Sequence, residues 1–275
     1  MFSQFPKKRN GLPPAYREIY DAHFRNNRSG GTPASRLSKT MEGWMHRRVA
    51  ADVKKKDSPL STLEIGAGML SQLEYELNAF PYDIVEPSPG LYQNAKGLSR
   101  IRDRFSDISE IDLGLKYDRI TAVAAFEHIL DLPEVVAKCC LLLKESGCLR
   151  VAIPNEGRRL WRFCTMISTG LEFRLRYGLD YRALMEYEHV NAADEIEAVL
   201  RYFFNKIESS FLGVGKSFSL YRFYRCADQD TEKAAKFIKE KIKKLKEPWF
   251  QPRLNQRGRQ GGVGARINLF PPMTE

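Results

Sequence analysis

The stretch Thr62-Leu63-Glu64-Ile65-Gly66-Ala67-Gly68-Met69-Leu70, followed by Tyr82-Asp83-Ile84-Val85-Glu86, constrains this chain more than any other. An apolar run ends in a carboxylate and a Gly-x-Gly turn. A second apolar run ends in another carboxylate twenty residues after Gly66. This is the pattern of a βαβ unit that holds an adenosine-containing cofactor. Turn glycines let backbone N–H groups approach a ligand, and the second acid accepts hydrogen bonds from ribose hydroxyls.

Around this unit, apolar runs alternate with helical patterns. Strands are expected at 61–65, 82–86, 102–106, 118–124 and 148–153, and helices at 70–79, 90–98 and 132–144. Strands spaced by helices imply an α/β fold with a parallel sheet and right-handed crossovers. Lys206–Leu212 and Ser217–Cys226 alternate as two more strands around Gly213-Val214-Gly215-Lys216, a hairpin signal. The expected organisation has five parts. Residues 1–60 form a helical prelude, with helices over Ala15–Phe24 and from Ser35 to about Lys54, and 61–155 form the cofactor-binding core. Residues 156–188 are a helical, arginine-rich lid, and 189–228 complete the core. Residues 229–275 hold a basic amphipathic helix, Lys233 to Lys246, and a flexible Gly- and Pro-rich tail.

With 275 residues and 43% hydrophobic side chains, the chain can bury a full α/β core. No run approaches the roughly 18 apolar residues of a membrane span. The start, Met1-Phe2-Ser3-Gln4-Phe5-Pro6-Lys7-Lys8, lacks an apolar signal core, so a cytoplasmic location is expected. Five cysteines (Cys139, Cys140, Cys148, Cys164, Cys226) include no C-x-x-C pair and read as buried, reduced thiols. The net charge of +10 is uneven: from Thr231 onward eleven Lys and Arg face four Asp and Glu, leaving the first 230 residues a surplus of only three. The basic character therefore belongs to the tail.

At these residues the chain resembles the class I S-adenosylmethionine-dependent methyltransferases. The resemblance spans about 60–226 and rests on Glu64-Ile65-Gly66-Ala67-Gly68, on Glu86, on Ser106-Asp107-Ile108 and on Ala125-Phe126-Glu127-His128-Ile129. The terminal hairpin matches too. The resemblance implies a Rossmann-like, mostly parallel seven-stranded sheet with that hairpin at its edge, and S-adenosylmethionine as cofactor. Gly66, Ala67 and Gly68 would pass under its methionine portion, which the backbone around Ala124, Ala125 and Phe126 would face. Glu86 would bind the ribose hydroxyls, and Asp107 the adenine amino group with Ile108 beside the ring. Glu64 would organise the loop or reach the ligand's amino group. One departure is Leu70, where the family has a third small residue; it predicts an altered helix entry. A dinucleotide fingerprint would instead need Gly or Ala where Ser71 stands.

For catalysis, His128 is the leading base because histidine titrates near neutrality and this one follows the fourth strand. A structural role in the loop is the competing reading, and Glu127 can equally serve as a loop-holding carboxylate. His189, in Tyr187-Glu188-His189-Val190-Asn191, is the second candidate; its competitor is helix capping by Asn191 with His189 incidental. No metal is expected. The expected acceptor is a small molecule or glycan, with Arg158, Arg159, Arg162, Arg174 and Arg176 available to an anionic group. Two alternatives stand beside it. One is RNA or protein methylation using the basic tail, which also suits an anionic membrane surface through 231–275. The other is a regulatory protein that binds the cofactor without turnover.

Overall fold

In a computed structural model of the chain, the structure describes residues 2–9, 11–17, 19, 33–53, 58–156 and 170–246. Its sheet contains β1 (Leu60–Ile65), β2 (Ala79–Val85), β3 (Ile101–Phe105), β4 (Tyr117–Val123), β5 (Leu143–Pro154), β6 (Phe204–Val214) and β7 (Phe218–Gln229). The order is β3-β2-β1-β4-β5-β7-β6. Strands β1 to β5 are parallel, β7 joins β5 antiparallel, and β6 closes the hairpin, as the sequence pattern predicts. Because the chain winds outward in opposite directions from β1 and β4, their carboxyl ends open a crevice where ligands bind in such sheets.

Helices cover both faces: α1 (Pro33–Val49), α2 (Leu132–Leu142), α3 (Leu171–Tyr177), α4 (Tyr181–Glu188), α5 (Ala193–Phe203) and α6 (Thr231–Lys246). Among the described residues no helix is long and apolar enough to cross a membrane. One sheet face is dry. Leu63, Ile65, Ile120, Ala122, Leu149 and Val151 are fully buried against α2 and α5. The alternate residues, on the opposite face, include Thr62, Glu64, Arg119, Thr121 and Arg150, all buried and all polar.

That polar face has an electrostatic purpose. The last carbonyls of a helix lack partners within it and carry the negative end of its dipole. Arg150 donates to Val49 O at 2.7 Å and to Arg48 O at 2.8 Å, and Arg119 to Val49 O at 3.0 Å. Arg119, fully buried, also holds both oxygens of Glu76 and lies 3.2 Å from Asp52 Oδ2. Two buried guanidinium groups thus pin the C-terminus of α1 to the sheet.

The inward pull on Glu76 explains a departure from expectation. The helix expected over 70–79 is only a five-residue 3-10 turn, Ser71–Tyr75. Leu70 enters it at φ 61°, a left-handed conformation that prevents an α-helix from starting there. Gln72 and Glu76 then point inward and hydrogen-bond each other at 2.5 Å. Leu70 itself is 2% exposed and packs on Leu73, Ala79 and Tyr82. Likewise the helix expected over 90–98 is one turn, Pro89–Tyr92, with a 3-10 turn at Leu98–Arg100 after Gly97.

The prelude is not helical throughout. Residues 2–9 carry no helix and run as a strap, with Phe2 among Phe5, Tyr202, Phe203 and Phe237. Lys7 pairs with Glu195, and Arg9 donates to His128 O at 2.8 Å. Leu12 and Tyr16 then pack on Phe173 and Leu184 of α3 and α4. Of the helix expected over 15–24, residues 20–24 lie outside the described residues, as do Arg158, Arg159, Arg162, Cys164 and the tail from 247.

Candidate cofactor and acceptor site

The glycine turn leaves β1 with Gly66 at φ 72° and Gly68 at φ 51°, conformations that glycine adopts without a Cβ penalty. The turn is tied to the end of β2. Gly66 N donates to Val85 O at 2.8 Å, and Gly68 N to Glu86 Oε2 at 2.9 Å. Glu86 Oε1 accepts from Ser88 N at 3.0 Å, so the 3%-exposed carboxylate is oriented by two backbone amides.

Glu64 is deeper. Its Oε2 accepts from the Tyr82 hydroxyl at 2.8 Å. Complete burial, with Glu76 and Glu86 nearby, pushes its carboxyl up to about 8, against the lowering effect of the Tyr82 hydrogen bond. At the end of β3, Asp107 caps the 3-10 turn Ile108–Glu110 through Oδ1, which accepts from Ser109 N at 2.7 Å. Its buried Oδ2 has no hydrogen-bond partner among the described residues. Ile108 beside it is buried. After β4, Ala124 is exposed at φ 48°, whereas the Ala125 and Phe126 side chains lie in the core.

The two histidines meet. His128 and His189 pack edge to face with ring centres 4.7 Å apart, although 61 residues separate them. Asn191 brings this about by donating to Phe126 O at 2.8 Å and Ile129 O at 2.7 Å, while Val190 N and Asn191 N donate to Glu127 O. Asn191 therefore laces two loops together; the N-cap of α5 is Ala192, whose N–H donates to Glu195. His128 Nδ1 lies 3.0 Å from Glu188 O. His189 Nδ1 lies 2.5 Å from Glu156 Oε1. Burial pulls the His189 imidazole down, but Glu156, then Glu127 and Glu188, push it up to about 9. Burial in turn raises Glu127 to about 7, and its Oε2 has no hydrogen-bond partner among the described residues.

Glu127, His128 and His189 each bring a ligating atom within 4.8 Å of the others, a set a divalent cation accepts. A ligating imidazole must be neutral, however, and Glu156 favours the protonated form of His189. Arg174 and Arg176 are exposed on α3.

The family model described as a methyltransferase domain matches residues 36–198, more than half of the chain. The chain belongs to the class I S-adenosylmethionine-dependent methyltransferases. A ubiquinone biosynthesis O-methyltransferase of Bradyrhizobium sp. (strain ORS 278) is 30% identical over 127 residues, 44% of this chain and 49% of that protein. Another of the same description, from Rhodopseudomonas palustris (strain BisB5), is 30% identical over 74 residues, 27% of this chain and 28% of its own. The chain thus spans half or less of the length of these curated relatives. The plantazolicin methyltransferase BpumL, solved with a pentazolic desmethylPZN analog and SAH, shares the fold. Its TM-score is 0.52 at 16% identity, covering 78% of this chain and 91% of that one.

As a class I methyltransferase the chain uses S-adenosylmethionine, and the residues present fit it. The glycine turn presents backbone without Cβ atoms to the crevice, Glu86 is held by backbone donors, and the buried Asp107 Oδ2 suits a donor such as an exocyclic amine. Sequence reasoning missed Tyr82, Glu156 and Arg9 as neighbours of the site. Tyr82 sits two residues before Ile84 in an alternating strand, so only the β1–β2 register, Glu64 opposite Ile84, turns it toward Glu64.

Proposed function

We propose that this methyltransferase methylates a hydroxyl, or a comparable nucleophile, on a small molecule or glycan, with His128 as the base. S-adenosylmethionine supplies an electrophilic methyl group on its sulfonium, and the chain's own task is to align the acceptor and remove its proton. The observation that carries the reading is the contact of His128 Nδ1 with the Glu188 carbonyl. The Glu188 carbonyl can only accept, so Nδ1 carries the hydrogen and Nε2 of the neutral ring carries the lone pair. His189 has the opposite character. Paired with Glu156, it stays imidazolium near neutrality and favours an oxygen that loses its proton beside it.

The described relatives, both named O-methyltransferases, support an oxygen acceptor. A cytoplasmic location belongs to the same proposal. Exposed Lys236, Lys239, Lys243 and Lys244 on α6 offer an anionic membrane surface or RNA a second contact. The test is transfer of labelled methyl groups into a panel of catechols, phenols and sugars, with RNA and protein as separate arms and His128→Gln as control. Label in a hydroxylated small molecule, lost in the variant, is expected. Label in RNA or protein alone would overturn the acceptor class, and binding of S-adenosylmethionine without turnover on any arm would favour the sensor reading.

A further inference from the structure

Among the described residues, the buried Glu64 carboxyl of the cofactor crevice has a neutral polar partner and no paired cation. It is 2% exposed and accepts from the Tyr82 phenol at 2.8 Å. The other ionisable groups acting on it are Glu76 after the 3-10 turn, Glu86 after β2 and Arg119 on β4. Two of these three are acids. The guanidinium is already engaged by both oxygens of Glu76, by Asp52 and by Val49 O. A buried carboxylate without a cation is costly, and such a group holds its proton instead.

We infer that Glu64, held in place by the positioning residue Tyr82, stands in the crevice as a carboxylic acid that gives up its proton when the ammonium group of an S-adenosyl ligand arrives. This rests on the reading that Glu64 meets the ligand's amino group. The phenol donates to Oε2 whether Glu64 is charged or neutral, so the exchangeable proton sits on Oε1. Burial beside Glu64 keeps the phenol itself protonated, well above its ordinary range. On binding, the Oε1–H bond breaks and the proton leaves to solvent. The carboxylate then pairs with the ammonium, whose three N–H bonds stay intact. A ligand without an ammonium gives no reason for Glu64 to ionise. The site would then discriminate between amino-acid-bearing and truncated adenosyl compounds through a proton, and cofactor affinity would rise with pH toward 8.

Calorimetric titration in phosphate and in Tris tests this, because the two buffers differ in ionisation heat and so report the protons released. The probes are S-adenosylhomocysteine and 5′-methylthioadenosine, which lacks the amino acid. With Glu64 titrating at about 8, S-adenosylhomocysteine should release about 0.9 proton at pH 7 and about 0.5 at pH 8. 5′-Methylthioadenosine should release none. Glu64→Gln should bind S-adenosylhomocysteine more weakly with no release. Tyr82→Phe removes the hydrogen bond that lowers the Glu64 carboxyl, so its release at pH 8 should exceed the wild-type figure. Equal heats in both buffers for wild type, or release that survives Glu64→Gln, would overturn the inference while leaving cofactor binding intact. Absence of any S-adenosylhomocysteine heat would overturn the cofactor assignment of the crevice and this inference with it.

Discussion

The amide of Gly68 donates to Glu86 Oε2 at 2.9 Å, so the turn after β1 and the acid after β2 form one unit. Eighteen residues apart in sequence, they meet because β1 and β2 are parallel neighbours with Ile65 opposite Val85. Replacing Glu86 removes the acceptor that orients the turn and, on the proposal that it binds the ribose hydroxyls, a ligand contact as well. Hydrogen bonds to a charged group contribute about 1.5–3 kcal/mol, so Glu86→Ala should weaken S-adenosylhomocysteine binding by about 10- to 100-fold. Calorimetry checks it; unchanged affinity would remove Glu86 from the cofactor site.

Glu64 also links stability to pH. Its carboxyl is raised from 4.5 to about 8 in the fold, so the folded state binds the proton more tightly than the unfolded chain. That contribution is full below pH 4.5 and is lost as pH rises through 8. Glu64→Gln, which cannot ionise and still accepts from Tyr82, should stabilise the protein at pH 8.5, on the order of 4 kcal/mol, and leave it unchanged at pH 4.5. Denaturant titration at both values without ligand decides it; a gain at pH 4.5 as large as at 8.5 would refute the linkage.

The histidine pair predicts a split in kinetics. His128→Gln should lower kcat by about 10²-fold or more on a hydroxyl acceptor, with S-adenosylhomocysteine affinity retained. The rate should also fall above about pH 9, where His189 loses its proton. Because Glu156 raises that proton's affinity, Glu156→Gln should move the alkaline limb to lower pH. A limb that stays put in the variant would separate it from His189.

Leu70 pits strain against burial. Its left-handed backbone costs about 1–2 kcal/mol, which glycine would relieve. Its side chain is 2% exposed, and deleting such a leucine costs about 2–5 kcal/mol. Burial should win, so Leu70→Gly should lose about 1–3 kcal/mol by denaturant unfolding. A gain in stability would mean that the strain outweighs the packing.

Cysteine reactivity gives a simple check of the core. Cys139, Cys140, Cys148 and Cys226 are buried, and burial raises every one of these thiols above its ordinary range. At pH 8 they should resist an aromatic disulfide reagent in the native protein and react once it is unfolded. Rapid labelling of these four in the folded state would contradict their placement.

The sequence by itself determined the sheet and the cofactor crevice. Strand alternation, turn glycines and acids at strand ends are local features, and a period of two or a Gly-x-Gly turn needs no distant partner to be legible. The hairpin at 213–216 was legible for the same reason. The tertiary structure alone decided the rest, because each remaining feature depends on groups far apart in the chain. Glu76 turns inward to Arg119, 43 residues later, and the crossover there is a 3-10 turn in place of a helix. His189 reaches His128 through Asn191, and the Glu156 carboxylate beside it then raises the proton affinity of His189. Tyr82 finds Glu64 only through the β1–β2 register. Buried polar groups are placed by whichever partner satisfies them, and that partner is set by packing across the sheet.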